Sequence, residues 1–186
     1  MFENCLNLKN VSIPKSVTRI GDYAFDGCSA IENITIPDGV TYVGDGAFHG
    51  CYYLKSITIP ESVTYIGERA FSGCEQITGV IVPDSVTNLG EEAFSDCDAL
   101  IKITLGKGIT KIEKNTFDSC INLTSITVNG KLTTIETGAF GKCELLMQIN
   151  FRGTLEEWQA VKKVDYWDAS TLNFVINCTD GQIKKN

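Results

Sequence analysis

The chain has 186 residues, 43% hydrophobic and 21% charged, a balance that suits a folded protein with a sizeable core. Its net charge of −7 and scattered Lys and Arg residues argue against nucleic acid or an anionic membrane as the main partner, since both need basic clusters. No apolar run approaches the roughly 18 residues of a membrane span, and Met1-Phe2-Glu3-Asn4-Cys5 lacks the basic start and apolar core of a signal peptide.

Phe2 and Cys5 stand in the phase of Phe71 and Cys74, so the chain begins inside a repeat. It is expected to be a piece of a longer protein. Cys5, Cys28, Cys51, Cys74, Cys97, Cys120 and Cys143 follow one another at intervals of 23 residues. No enzyme site needs thiols at equal intervals, but a stack of like coils does. The spacing therefore predicts a repeat solenoid of 23-residue coils. Cysteines at one phase of such a stack form a ladder of small apolar side chains. Parallel side chains in register suit a disulfide poorly, so free, buried thiols are expected. Cys178 lies outside the ladder, and a bridge to Cys143 is the less favoured alternative for it.

Within a coil, Ile57 and Ile59 have the period of two that marks a strand with one buried face. Their counterparts run from Val11/Ile13 through Ile34/Ile36, Val80/Val82, Ile103/Leu105 and Ile126/Val128 to Ile149/Phe151. Pro14, Pro37, Pro60 and Pro83 end four of these strands, because proline has no N–H to give to a ladder. Gly106 and Asn129 take that place later. A second extended piece follows, Val63 to Ile66 and its equivalents, with Thr at its second position in every coil from Thr18 to Thr133. A stacked hydroxyl column can bond from coil to coil.

Gly21, Gly44, Gly67 and Gly90 come next and are expected to supply a turn with positive φ. Ala-Phe then recurs as Ala24-Phe25, Ala47-Phe48, Ala70-Phe71, Ala93-Phe94 and Ala139-Phe140, with Thr116-Phe117 the exception. This predicts a column of stacked rings, in a segment long enough for one helical turn. The period breaks after Phe151. Thr154-Leu155-Glu156-Glu157 has the form of a capping box and opens an amphipathic helix through about Lys163. A turn region, 165–170, carries Trp167, a last strand is expected over 172–178, and Thr179-Asp180-Gly181 is its turn. Residues 152–186 thus read as a helix-plus-strand cap on the solenoid of residues 1–151, part of the same structural unit.

The pattern Leu-x-x-Ile-x-Ile-Pro-x-x-Val-x-x-Ile-Gly-x-x-Ala-Phe-x-x-Cys resembles the bacterial BspA-type leucine-rich repeat family, over residues 1 to about 151. Gly153 to Trp158 and Asn177 to Gly181 also look like the endings of such proteins. The resemblance implies a right-handed leucine-rich superhelix, β-rich with short helical turns, on secreted or surface-attached bacterial proteins. It implies an extracellular or cell-surface location and roles in adhesion. The family carries no catalytic motif, so no site residue transfers.

His49 and Cys51 are close in sequence, but Cys51 belongs to the ladder, so His49 reads as a surface residue of a turn. Neither Asp96-Cys97-Asp98 nor Glu91-Glu92 follows a metal-loop pattern. No phosphate loop or Gly-x-Ser-x-Gly is present, and no cofactor is expected. The outward strand column, from Asn10 and Asn33 to Gln148, is small and hydroxyl-rich. The candidate binding residues are Tyr42 and Tyr65 on adjacent coils, Arg19 in their column, and Tyr52 and Tyr53 on a neighbouring turn. The expected function is a noncatalytic protein- or glycan-binding or adhesion module, with a host or bacterial surface molecule as partner and a monomer as the favoured state. The alternative is a structural spacer with no ligand of its own.

Overall fold

The computed structural model describes residues 2–168 and 173–185. It begins with β1 (Arg19–Ile20), β2 (Asn33–Thr35), β3 (Tyr42–Val43), β4 (Ser56–Thr58), β5 (Tyr65–Ile66), β6 (Gly79–Val82) and β7 (Asn88–Leu89). There follow β8 (Lys102–Leu105), β9 (Lys111–Ile112), β10 (Ser125–Val128), β11 (Thr134–Ile135) and β12 (Gln148–Phe151). The tail adds α1 (Leu155–Ala160), β13 (Lys162–Lys163), β14 (Phe174–Asn177) and β15 (Gln182–Lys185).

Each coil gives one strand to each of two parallel walls. On the first wall β10 lies between β8 and β12, with Ile103, Ile126 and Ile149 in register. On the second, Tyr42 is paired with both Arg19 and Tyr65 in adjacent strands. Register follows from composition. The inward residues of β10, Ile126 and Val128, are buried, while Ser125 and Thr127 are only partly covered. A slip of one residue would turn the apolar set outward. The walls are not continuous. The first parts between β4 and β6, the second between β7 and β9. Gly79 stands at the first break, where its missing side chain weakens the outward column.

Pro60 closes the corner between the walls, its carbonyl accepting from Val63 N at 3.0 Å. The Thr column behaves as its stacking predicts: Thr64 N and Thr64 Oγ1 both bond to Thr41 O, at 2.9 and 3.2 Å.

The segment after the second wall is not a helical turn. Its N–H groups alternate between two kinds of acceptor. Ala47, His49 and Cys51 donate three residues back, to Gly44, Gly46 and Phe48. Gly46, Phe48 and Gly50 donate to the next coil, to Glu68, Ala70 and Ser72, at 2.7 to 2.8 Å. A helix would spend every N–H within the coil and leave the stack unbonded.

The glycine expectation is corrected. Gly44, Gly67 and Gly90 do not lie at positive φ. They are small because the preceding coil comes too close for a side chain. A Cβ on Gly67 would stand 2.6 Å from Asp45 N, and one on Gly90 would stand 2.5 Å from Glu68 N. Gly21 has no such neighbour. Within the repeats positive φ falls elsewhere, at two other columns: Tyr23, Gly46, Arg69, Glu92, Asn115, Gly138, and Asn4, Gly27, Gly50, Gly73, Asp96, Ser119, Lys142.

Inside, the Phe rings from Phe25 to Phe140 stack with centroids 5.2 to 6.1 Å apart and planes within 12° of parallel. Phe2 extends the column at 5.6 Å from Phe25. All eight thiols are free, and the six from Cys28 to Cys143 are fully buried. Each buried thiol leans on a backbone carbonyl, as Cys74 Sγ does on Phe48 O at 3.3 Å.

The tail departs from expectation in detail. Thr154 caps α1 with the reciprocal Glu157 bonds of a capping box. The helix stops at Ala160, because β13 pairs with the open edge of β11 instead of continuing it. Strand β14 extends the first wall beside β12. Lys184 and Lys185 are not a loose tail but lie in β15, which turns back antiparallel on β14. Positions 169–172, part of the expected turn and last strand, lie outside the described residues. Trp167 sets its edge against the rings of Phe140 and Phe174, and Trp158 is buried against Phe151.

Candidate binding surface

The second wall brings three of the candidate residues together. Tyr42 and Tyr65 stack with centroids 4.7 Å apart and planes 9° from parallel. The Arg19 guanidinium lies over the other face of Tyr42, 3.9 Å from its centroid. Because residues 23 apart are neighbours across the wall, these three form one row along the axis. Both Tyr42 ring faces are therefore covered. What the pair offers outward is ring edge and hydroxyl.

The hydroxyls sit among carboxylates. Tyr42 Oη donates to Asp22 Oδ1 at 3.3 Å. Asp22 Oδ1 also accepts from Asp45 N, and Asp45 Oδ1 accepts from Glu68 N at 2.9 Å. Partial burial and the nearby Asp22 charge raise the Tyr42 phenol above its ordinary range. Burial and then Asp45 do the same for Tyr65. Both stay protonated and able to donate.

Tyr52 and Tyr53 are exposed, and no ring contact joins them to Tyr42 or Tyr65. They leave Cys51 on the connection that leads to the first wall, whereas Tyr42 and Tyr65 lie on the second. The Tyr52 ring lies over the glycine column, its Cε1 3.6 Å from where a Gly73 Cβ would stand.

The structure also exposes what the columns conceal. The connection from each ladder cysteine to the first wall carries Leu6 and Tyr52-Tyr53 near one end, then Ile101, Ile121, Leu145 and Met147. These are most of the exposed large apolar side chains among the described residues. Each shares its column with polar residues (Ile121 with Glu75 and Asp98, Met147 with Lys55), so no single column reads as apolar. Plotting all columns of that connection together would have found it.

His49 Nδ1 is 2.7 Å from Asp26 Oδ1, a pairing the sequence reading missed, since the two are one period apart. Ser72 is the next residue in that column, but it is buried and shares its hydrogen bond with Ser95, at 2.9 Å. Burial pushes the Cys51 thiol up to about 12, which keeps it protonated and unreactive. Among the described residues no group of three or more His, Cys, Asp or Glu is placed to hold a metal ion. Nor is any helix long and apolar enough to cross a membrane.

The family model for the BspA type leucine rich repeat region matches residues 1–78 and 43–161, in six copies. A leucine-rich repeat protein from T. pallidum is similar, at 36% identity and a TM-score of 0.72, over 78% of this chain and 68% of that one. A leucine-rich repeat protein from Bacteroides ovatus shares the fold, at 24% identity and a TM-score of 0.75, over 95% of this chain. A leucine rich cell surface protein from Faecalibacterium prausnitzii is 25% identical over 97% of this chain, with a TM-score of 0.54. The chain spans 57% of the Bacteroides ovatus protein's length and 62% of the Faecalibacterium prausnitzii protein's. No curated protein matches it.

Proposed function

Since this chain belongs to the BspA-type leucine-rich repeat family, we propose that it is a noncatalytic binding or adhesion module of a bacterial cell-surface or secreted protein. Its ligand is a protein or glycan of a host or bacterial surface. The observation that carries this reading is the row Arg19–Tyr42–Tyr65. It sets aromatic edges and polar heads outward in a column whose residue type changes from coil to coil. Covered ring faces suit hydrogen bonding to a protein better than the stacking of a sugar ring on an open aromatic face. The cell-surface relative supports the same reading.

The regularity of the coils favours a second reading, a spacer that displays other domains. An array of host proteins and glycans probed with the folded chain separates the two. Retention of a ligand that Tyr42→Ala/Tyr65→Ala fails to retain supports the module. A blank array supports the spacer.

A further inference from the structure

We infer that the connection edge of the later coils is a docking surface for a basic amphipathic helix of a partner protein. The edge is built from the residues between each ladder cysteine and the first wall. On coils bearing Cys97, Cys120 and Cys143 it exposes Ile101, Ile121, Leu145 and Met147, each between 43% and 61% accessible. Side chains of this size are left in water together only at a cost. Burying them against a partner is favourable, and a group of exposed large apolar side chains on one edge marks an interaction site.

Charge decides the kind of partner. Glu75, Asp98 and Glu144 lie on the same edge, and among the described residues none of them makes an ion pair. Where the early coils place a cation in this edge, Lys9 and Lys55, the later coils place Ile101 and Met147. Lys55 is moreover spent on Glu32, at 2.7 Å. Lys102 is the nearest cation by sequence, and it belongs to the strand face of β8. Apolar side chains among unpaired carboxylates complement an apolar stripe flanked by Lys or Arg. An anionic lipid surface is repelled by the same carboxylates, and a second copy of a chain of net charge −7 brings no excess of cations.

Spacing decides the shape. Coils follow one another at about 4.8 Å. A helix laid along the axis rises about 5.4 Å per turn, so it sets one turn against each coil across three coils. A strand laid the same way repeats its face every ~6.7 Å and loses register by the second coil. The edge lies on the connection to the first wall, whereas Tyr42 and Tyr65 lie on the second wall, so this inference stands or falls apart from the function proposed above.

The test uses a fluorescent peptide of ~18 residues with Leu at i, i+3, i+4 and i+7 and Lys elsewhere, titrated with the whole chain. The wild type binds it, and neither a scrambled peptide nor a Leu/Glu counterpart binds. Ile101→Ser/Met147→Ser weakens binding by about tenfold or more, as the loss of two buried apolar side chains requires. Asp98→Asn/Glu144→Gln weakens it about threefold and flattens its salt dependence. Tyr42→Ala/Tyr65→Ala leaves it unchanged, and circular dichroism confirms that all variants stay folded. Four results overturn the inference: equal binding by the edge variants and wild type, equal binding of the scrambled peptide, retention on anionic vesicles, or a wild-type dimer that the Ile101→Ser/Met147→Ser change dissociates.

Discussion

Gly67 lies under Asp45 so closely that a Cβ on the glycine would stand 2.6 Å from the Asp45 amide nitrogen. That contact repeats one coil later between Gly90 and Glu68, and it is absent at Gly21, whose surroundings are open. The glycine column is thus a spacer between coils.

Three substitutions distinguish spacing from backbone conformation. Gly21→Ala is neutral or stabilises by a few tenths of a kcal/mol, about the gain expected from a less flexible unfolded chain. Gly73→Ala meets only ordinary contacts but forces alanine to a φ of 71°, and costs about 1–2 kcal/mol. Gly67→Ala pushes a backbone atom of the adjacent coil and costs the most, about 3 kcal/mol, at the upper end of ordinary overpacking. Denaturant midpoints rank the three. Equal losses at all three would contradict the spacing account.

The ring column carries a large share of the apolar burial. Phe71→Ala empties a fully buried site between two stacked rings and costs about 3–5 kcal/mol. Phe2→Ala removes a half-exposed ring stacked on one side only, and costs about 1 kcal/mol or less. Urea titrations of the two variants report the difference through their midpoints at unchanged slope.

Much of this was legible because repetition amplifies it. The paired apolar positions of β8, β10 and β12 gave strand, register and buried face. The Phe and Cys columns gave the core. The sequence reading gave Gly67 a positive φ instead of a close contact, because the atom it avoids belongs to a residue 22 positions earlier. It assigned Lys162 and Lys163 to the helix, because local propensity cannot see the open edge of β11 that captures them. The apolar edge escaped notice because coil-by-coil comparison looks down columns, and its residues are spread over three of them: Ile101 and Met147 in one, Ile121 in a second and Leu145 in a third.

The thiol ladder makes the fold sensitive to alkali. Burial raises the thiols of Cys51 and Cys143 from 9.0 to about 12, and pushes Cys74, Cys97 and Cys120 well up. Above pH 9 the unfolded chain releases protons that the folded chain keeps, so the folded state binds more and stability falls as pH rises. The contribution is whole below about pH 9 and is lost as pH climbs through the folded values near 12. Each thiol removes roughly 1.4 kcal/mol per pH unit in that window. Cys51→Ala should make the fall in unfolding free energy, across the span between 9.0 and about 12, shallower by about that much per unit. An unchanged slope would refute the buried ladder.

The same column predicts the outcome of a thiol count. Without reductant, the folded chain reacts slowly at Cys5 and Cys178, the two partly exposed positions, and not at the six between. Unfolding without reductant releases all eight. A count of none after unfolding would mean four disulfides, and a different packing of the coils.

The central claim is that invariant positions hold the stack while the varying ones recognise the ligand. It is tested most directly by one paired titration with a ligand retained on the array. Thr64→Val deletes a coil-to-coil bond in an invariant column. It should lower stability by about 0.5–1.5 kcal/mol and leave affinity unchanged. Tyr42→Ala/Tyr65→Ala deletes the varying pair and should lower affinity at least about tenfold, the loss of two interface aromatics, while the chain stays folded. Affinity that follows Thr64 and ignores Tyr42 and Tyr65 would contradict the account.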